Sequence, residues 1–233
     1  MAVSGYTDIQ YDVILDETTK TTKGLHIRGY PTASHLKKIS TPKAREMADL
    51  FLHRTDLVFC WDGMQEILSL LNQDAHKSRF FVEAFWISVI TKYFGCFKKS
   101  KARIALNLND VYGGFPSEAI KCFKYFEALR DKHIAHDDNS VNFVAVGAVL
   151  EADGSVLDFI MMQARAETID MAHLDPMFQL IDVARKFVES RLEKLRAEVL
   201  DEIGQIPKDK LLALPNVTLT SPTADDIQKS RSY

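Results

Sequence analysis

The spacing of hydrophobic residues along the chain predicts a mainly helical protein. Thr41-Pro42 opens the first helical pattern, because threonine is a favourable N-cap and proline fits the first helical position. Hydrophobic residues continue at helical spacing as far as Leu71, and Gly63 leaves open whether this stretch is one long helix or two. The expected apolar side of the stretch begins with Met47, Leu50, Phe51, Leu57 and Val58.

A second helical segment, at about residues 76–97, carries aromatic or aliphatic side chains around nearly all of its circumference. A helix that is apolar on every side is typical of the centre of a bundle, so we predict that the aromatic cluster in residues 80–97 belongs to the core. A third helix begins at Pro116-Ser117-Glu118, and its expected buried stripe is formed by Ile120, Phe123, Phe126, Leu129 and Ile134. A last long helix, at about residues 176–203, repeats its hydrophobic residues at heptad-like spacing.

The periodicity changes after Asn139. Residues 141–150 are rich in valine, alanine and phenylalanine, Asp153-Gly154 is a typical hairpin turn, and residues 156–162 can return as a second strand. The alternative interpretation is a helix over residues 156–166. We favour the hairpin, which gives a fold that is mainly α: a bundle of four or five helices with a small β-hairpin insertion.

The pattern divides the chain into three regions. Residues 1–40 are mixed in character and are expected to form an N-terminal arm, with a short strand at residues 11–15. Residues 41–205 form the predicted helical bundle, with the hairpin at about residues 141–163. Residues 206–233 are polar and contain Pro207, Pro215 and Pro222, which indicates an extended or mobile C-terminal tail.

Composition narrows the classes of function. The chain has 233 residues, of which 46% are hydrophobic and 26% charged, and its formal net charge is −3, so no global basic field attracts nucleic acid or membrane. Cys60, Cys96 and Cys122 lie in apolar helical segments without a CxxC pair, which favours reduced thiols in a cytoplasmic protein. The N-terminus lacks a signal-peptide pattern, and charged residues interrupt the longest apolar run, so we expect no membrane span.

The chemically richest segment is residues 129–139, at the end of the third helical pattern. It contains Arg130, His133 and His136 together with several carboxylate and amide side chains. Arginine is a permanent cation, and histidine is the side chain that titrates nearest to neutral pH. On a straight α-helix, a separation of six residues places His136 about 120° around the axis from Arg130. The two side chains converge only if the last turn unwinds or if a second chain contributes its own pair.

Arg130, Asp131 and His136 carry a resemblance to the HEPN superfamily. Its signature is an arginine, usually followed by a polar residue, with a histidine after four to six intervening residues, and here five residues lie between Arg130 and His136. The wider run from Leu129 to Asp137 resembles the form found in abortive-infection-type HEPN proteins. The resemblance extends over about residues 41–203 in helix order and is specific only over residues 129–138.

The resemblance implies a metal-independent endoribonuclease, without a cofactor, that works as a homodimer with two facing copies of the motif. It implies that His136 is the acid and base, that Arg130 clamps the scissile phosphate, and that Asp131 orients one of them. Lys132 and His133 are expected as supporting groups. The implied partners are RNA and a cognate antitoxin or other regulator, as for a toxin or phage-defence effector. Contact with the RNA backbone is expected from the only dense basic run, which contains Lys98, Lys99, Lys101 and Arg103.

Three other interpretations stay open. The chain can be a non-catalytic HEPN-like binding or assembly module, which the acidic net charge favours. Arg130 and Asp131 can be ordinary surface charges, with His133 as an interface histidine whose hydrogen bonds are satisfied. A metal site built from His133, His136 and Asp137 is the third interpretation, although zinc sites usually need a further committed ligand.

Overall fold

The computed structural model describes residues 11–15, 22–27, 35–72, 75–100, 103–135, 142–165, 169, 171–217, 223–225 and 229. Within these ranges the α-helices are α1 (Pro42–Leu71), α2 (Ala75–Gly95), α3 (Leu108–Tyr112), α4 (Ser117–Leu129), α5 (Met171–Gly204) and α6 (Lys208–Ala213). The strands are β1 (Tyr11–Leu15), β2 (Thr22–Ile27), β3 (Asn142–Leu150) and β4 (Val156–Arg165). The prediction of a mainly α fold with an inserted β-hairpin is confirmed.

The chain divides into two compact units, one formed by residues 1–47 and 195–233 and the other by residues 48–194. In the first unit β1 and β2 pair antiparallel, which confirms the predicted strand at residues 11–15. Lys37 and Asn216 form an isolated antiparallel bridge, and the Lys43 ammonium lies 3.2 Å from a carboxylate oxygen of Glu198. Residues 206–217, which belong to the predicted extended tail, therefore include helix α6 and a backbone pairing.

Helix α1 begins as predicted, because the Thr41 hydroxyl accepts a hydrogen bond from the Ala44 amide at 3.2 Å. The helix is continuous to Leu71, so the possibility of two separate helices is excluded. Gly63 has a different role from the expected break. A Cβ atom at this position would lie 2.7 Å from the Val89 side chain, so the glycine allows α2 to approach α1 closely.

Several side chains that the periodicity assigned to the core are exposed instead. Phe51 and Val58 on α1 and Phe80 and Phe81 on α2 all lie at the surface. The prediction that the whole aromatic cluster of α2 is core is therefore wrong for its first part, since Val82 is the first buried residue from Arg79 onward, and Ile87 is exposed as well. Hydrophobic periodicity identifies a helix, but a side chain is buried only where another element packs on it. Phe80 and Phe81 on α2 keep 75% and 55% of their surface exposed.

Aromatic side chains dominate the core of the second unit. The Phe123 ring of α4 packs against the Phe94 ring of α2 at a centroid distance of 5.0 Å. The hydroxyl groups of Tyr93 and Tyr112 are hydrogen-bonded to each other, and the Tyr112 hydroxyl donates to the Leu180 carbonyl of α5 at 2.7 Å. Burial raises the pKa of both phenols, so these groups stay neutral and act as donors inside the bundle.

The predicted β-hairpin is confirmed, and the helical alternative for residues 156–166 is wrong where the chain is described. β3 and β4 pair antiparallel, and Gly154 in the turn takes a φ of 88°, a conformation that favours glycine. Helix α5 begins at Met171, earlier than the predicted start at Pro176. Pro176 lies inside the helix near its N-terminus, where its missing N–H removes one helical hydrogen bond.

The three cysteines are free thiols, as predicted. Cys60 and Cys96 are buried and Cys122 is half-buried. Burial raises the pKa of the Cys96 thiol to about 12, and it raises that of Cys60 further. Both thiols are therefore inert core groups. Among the described residues, no helix combines the length and the apolar character that crossing a membrane requires.

Candidate functional site

Helix α4 ends at Leu129 and continues into a π-helical turn at Arg130–Ile134. The Ala135 amide donates to the Arg130 carbonyl at 2.9 Å, which is the wide hydrogen bond that closes such a turn. A π turn advances by a smaller angle per residue than an α-helix, so the 120° separation calculated for a straight helix does not apply here. Single π turns inside helices occur frequently at functional sites. Residues 130–134 are therefore a candidate site on backbone geometry as well as on composition.

Asp131 holds two cations that come from different parts of the chain. Its Oδ1 accepts a hydrogen bond from the Arg130 guanidinium at 2.6 Å, and its Oδ2 accepts one from the Lys98 ammonium at 2.7 Å. Burial alone raises the pKa of Asp131, but the hydrogen bonds from Lys98 and Arg130 outweigh it and hold this pKa below its usual value. The carboxylate therefore stays ionised at neutral pH and fixes both cations.

These charges remain accessible to solvent. The side chains of Lys98, Arg130 and Asp131 keep 43%, 25% and 34% of their surface exposed. Glu127 Oε1 lies 3.9 Å from the Lys98 ammonium and offsets its charge only in part. Two cations face two carboxylates here, so the four side chains carry no net charge, and water screens the internal pairs. An oxyanion that binds to Arg130 and Lys98 therefore competes with Asp131 and Glu127 for their hydrogen bonds.

Two described members of the predicted basic run, Lys98 and Arg103, contact carboxylates in different places. Lys98 contacts Asp131, whereas the Arg103 guanidinium lies 2.7 Å from a carboxylate oxygen of Asp56 on α1. Asp56 also accepts a hydrogen bond from the Lys92 ammonium at 2.8 Å. Burial raises the pKa of Asp56, but hydrogen bonds from Lys92 and Arg103 more than compensate and lower it. Arg103 therefore joins α1 to the segment after α2 rather than facing the motif.

The two predicted supporting residues lie in different environments. Lys132 is exposed, whereas His133 is buried. The π turn packs against α2. Within the described residues, His133 Nδ1 has no hydrogen-bond partner, which is unusual for a buried polar atom. Lys132 and His133 therefore do not present one shared surface, and only Lys132 can meet a large ligand directly.

Three of the residues named from the sequence, His136, Asp137 and Lys101, lie outside the described residues. Lys99 is described and exposed. No group of three or more histidine, cysteine or acidic side chains in the described ranges is arranged to hold a metal ion. Of the alternative metal site, the described chain contains His133 alone.

Three polar residues within the hydrophobic stripe of α1 were not singled out from the sequence. Asp49, His53 and Asp56 recur at intervals of four and three residues, and the first two are buried. His53 Nε2 lies 2.6 Å from the Ile104 carbonyl oxygen, and the Ile104 amide donates to Asp49 at 2.9 Å. Burial is the main reason why the pKa of His53 is lowered. The helical spacing of these polar residues could have identified them in the sequence. Their contacts indicate that their role is structural.

The site that the geometry defines consists of four side chains: Arg130, Asp131, Lys98 and Glu127. Comparison of the chain with protein-family models, with curated proteins and with solved structures found no match. The function of the site is therefore inferred from its charged side chains. An arginine and a lysine that share one accessible carboxylate are suited to an oxyanion such as phosphate, because both donate charge-assisted hydrogen bonds.

Proposed function

We propose that this chain is a metal-independent endoribonuclease of the HEPN type that acts as a homodimer. The observation that supports the proposal is the pair of cations, Arg130 and Lys98, held on the Asp131 carboxylate a few residues before His136. A cation pair of this kind suits an RNA phosphate. The proposal includes the biological setting that the resemblance implies, a toxin or phage-defence effector restrained by an antitoxin or other regulator.

Cleavage by this route uses the ribose itself as the nucleophile. A neutral His136 takes the proton from the 2′-hydroxyl, and the 2′-oxygen attacks the adjacent phosphorus. The bond from phosphorus to the 5′-oxygen breaks, and an imidazolium gives a proton to that leaving oxygen. The products are a 2′,3′-cyclic phosphate and a 5′-hydroxyl. Protons and bonds balance without a further reactant.

The described side chains take distinct roles in this proposal. Arg130 clamps the scissile phosphate and stabilises the charge of its pentacoordinate transition state. Lys98 supplies a second cation, which binds the other carboxylate oxygen of Asp131. Asp131 is a positioning residue, because it holds both donors through its two oxygens. A bound phosphate competes with Asp131 for these donors, so the carboxylate also limits the affinity for RNA.

The test is cleavage of several single-stranded RNAs in EDTA by the wild-type chain and by the variants Arg130→Ala and His136→Ala. We expect wild-type products with 2′,3′-cyclic phosphate ends and a loss of about 100- to 1,000-fold in each variant. Arg196→Ala removes an exposed arginine of α5 and is the matched control, which is expected to cleave like wild type. Absence of cleavage by the wild type on every RNA, or full cleavage by both variants, contradicts the proposal.

A non-catalytic binding or assembly module is the second candidate, and one observation favours it. The β3–β4 hairpin exposes large hydrophobic side chains such as Phe159 and Met161, which are typical of a contact surface. For such a module, the wild-type chain leaves every RNA intact, and substitutions in the hairpin change its interactions while Arg130→Ala does not. The cleavage assay therefore separates the two candidates.

A further inference from the structure

Lys98 shows which side of α4 the candidate site occupies. Its ammonium lies 2.7 Å from a carboxylate oxygen of Asp131 and 3.9 Å from one of Glu127. Residues three and four positions apart on a helix are neighbours, so Glu127 and Asp131 belong to one stripe. The same spacing leads from Asp131 back to Ala128 and from there to Lys124. The candidate site therefore has an extension along α4, which we call the α4 stripe (Lys124, Glu127, Ala128 and Asp131).

Lys124 is an exposed cation on the α4 stripe. Within the described ranges its ammonium has no ion-pair partner, whereas a carboxylate oxygen of Glu118 lies 3.7 Å from the ammonium of Lys121, one turn earlier. The four side chains of the candidate site carry no net charge between them. Lys124 therefore supplies a positive charge that the site itself lacks, and a phosphate can take this charge without displacing a carboxylate.

The surface between Lys124 and Asp131 is open at Ala128, which is exposed and has no side-chain atom beyond Cβ. Glu127 is the other residue between them, and Lys98 draws its carboxylate to one side. Lys124 lies about 10 Å from Asp131 along the helix axis, because each residue of an α-helix advances by about 1.5 Å. This distance corresponds to about two or three nucleotides of a single strand.

We propose that an RNA strand bound at Arg130 continues along the α4 stripe over Ala128, and that Lys124 binds a phosphate about two or three nucleotides from the scissile one. The path rests on the proposed function and adds to it the place of the strand and a residue that holds it away from the reacting atoms. Such a contact is the same in the substrate and in the transition state. It therefore lowers KM and leaves kcat unchanged.

The first test compares a single-stranded RNA of about eight nucleotides with a dinucleotide substrate. For Lys124→Ala we expect KM on the longer RNA to rise about five-fold, with kcat within about two-fold of wild type. The dinucleotide ends before Lys124, so its KM is expected to stay the same. Lys124→Arg keeps the charge and should behave like wild type. Lys194→Ala removes an exposed lysine of α5 that also has no ion-pair partner in the described chain, and it is the matched control.

Binding of a 2′-O-methyl RNA gives a second readout, because this RNA lacks the nucleophilic hydroxyl and stays intact. The slope of the logarithm of Kd against the logarithm of salt concentration is expected to fall by about 0.7 in Lys124→Ala, the value for one phosphate contact on a single strand. Ala128→Glu places a carboxylate under the strand and should weaken binding about ten-fold, whereas the uncharged Ala128→Gln should weaken it at most about two-fold. Circular dichroism checks that each variant keeps its helices.

The outcomes separate the path from the proposed function. A wild-type chain that neither binds nor cleaves RNA overturns both. If the wild type cleaves RNA and Arg130→Ala does not, while Lys124→Ala and Ala128→Glu behave like Lys194→Ala, the path along α4 is wrong and the proposed function stands. An equal rise in KM on the dinucleotide and on the longer RNA for Lys124→Ala also overturns the path, because Lys124 then acts on the reacting nucleotides and not on a separate phosphate.

Discussion

Asp56 and Asp131 each pair with one lysine and one arginine, but in two different settings. Each carboxylate accepts hydrogen bonds or ion pairs from one lysine and one arginine, namely Lys92 and Arg103 for the first and Lys98 and Arg130 for the second. In each cluster the hydrogen bonds from the cations outweigh burial and lower the pKa of the carboxyl group. Composition and charge alone therefore do not distinguish a structural cluster from a functional one.

The difference between the two clusters is access to solvent. Asp56 and Arg103 keep 14% and 17% of their side chains exposed, against 34% and 25% for Asp131 and Arg130. The Asp56 cluster ties α1 to the end of α2 and to the segment that follows it, and of its three side chains only Lys92, at 51%, is largely exposed. The accessible cluster lies on a π turn, directly before the sequence position of His136. Because Asp56 and Arg103 are largely enclosed, we assign this pair a role in stability. Asp131 and Arg130 are more exposed, so a ligand can reach them.

The largest expected effect in this comparison is on stability. Arg103→Ala leaves the enclosed Asp56 with a single partner, so we expect the free energy of unfolding to fall by about 2 kcal/mol. Arg130→Ala removes a partner from an exposed group, and a fall of less than about 1 kcal/mol is expected. Urea denaturation of both variants measures these changes. Equal losses of stability would remove the distinction between the clusters.

The next effect is on RNA binding. Lys98→Ala removes one of the two cations on Asp131, and we expect RNA to bind about ten-fold more weakly, with a shallower salt dependence. Lys194→Ala removes an exposed lysine of α5, outside the predicted basic run, and serves as the control, with a change of at most about two-fold. Fluorescence anisotropy with a labelled RNA, repeated at several salt concentrations, gives both quantities. If Lys194→Ala weakens binding as much as Lys98→Ala, the contact with Asp131 has no special role.

The smallest effect is the pH dependence of stability. Asp56 and Asp131 both have folded pKa values below the ordinary 3.8. The unfolded state therefore takes up the proton more readily, so each group contributes stability that is present above the ordinary pKa and is lost as pH falls through the folded pKa. We expect the destabilisation caused by Asp56→Asn to shrink towards zero between about pH 5 and about pH 2. Asp131→Asn should change less over this window, and a pH-independent difference for Asp56→Asn would show that its charge is not the cause.

Local patterns predicted most of the helical fold. Thr41 and Pro42 set the start of α1, and Asp153-Gly154 located the hairpin turn, because caps and turns depend on neighbouring residues. The exposed Phe80 on α2 could not be predicted, since hydrophobicity does not reveal which faces other elements cover. The strands were recognised from composition, but the open faces of the hairpin were not.

The candidate site was predicted only in part for a similar reason. Arg130 and Asp131 stand next to each other in the sequence, so their contact is local. Lys98 reaches Asp131 across 33 residues, and only the packing of the π turn on α2 brings the two together. Arg103 looked equivalent to Lys98 in the basic run, yet it contacts Asp56 on α1. Long-range partners of charged residues depend on tertiary structure, which a short charged motif does not encode.

The most direct test of the central claim is the rate of RNA cleavage per folded molecule for Arg130→Ala and Arg103→Ala, measured side by side in EDTA. Each variant loses an arginine that pairs with an aspartate, and the two arginine–aspartate pairs differ in their exposure to solvent. We predict that Arg130→Ala stays folded and loses about 100-fold or more of the rate, whereas Arg103→Ala stays within about three-fold of wild type once unfolded molecules are discounted. Retention of the wild-type rate by folded Arg130→Ala would contradict the account.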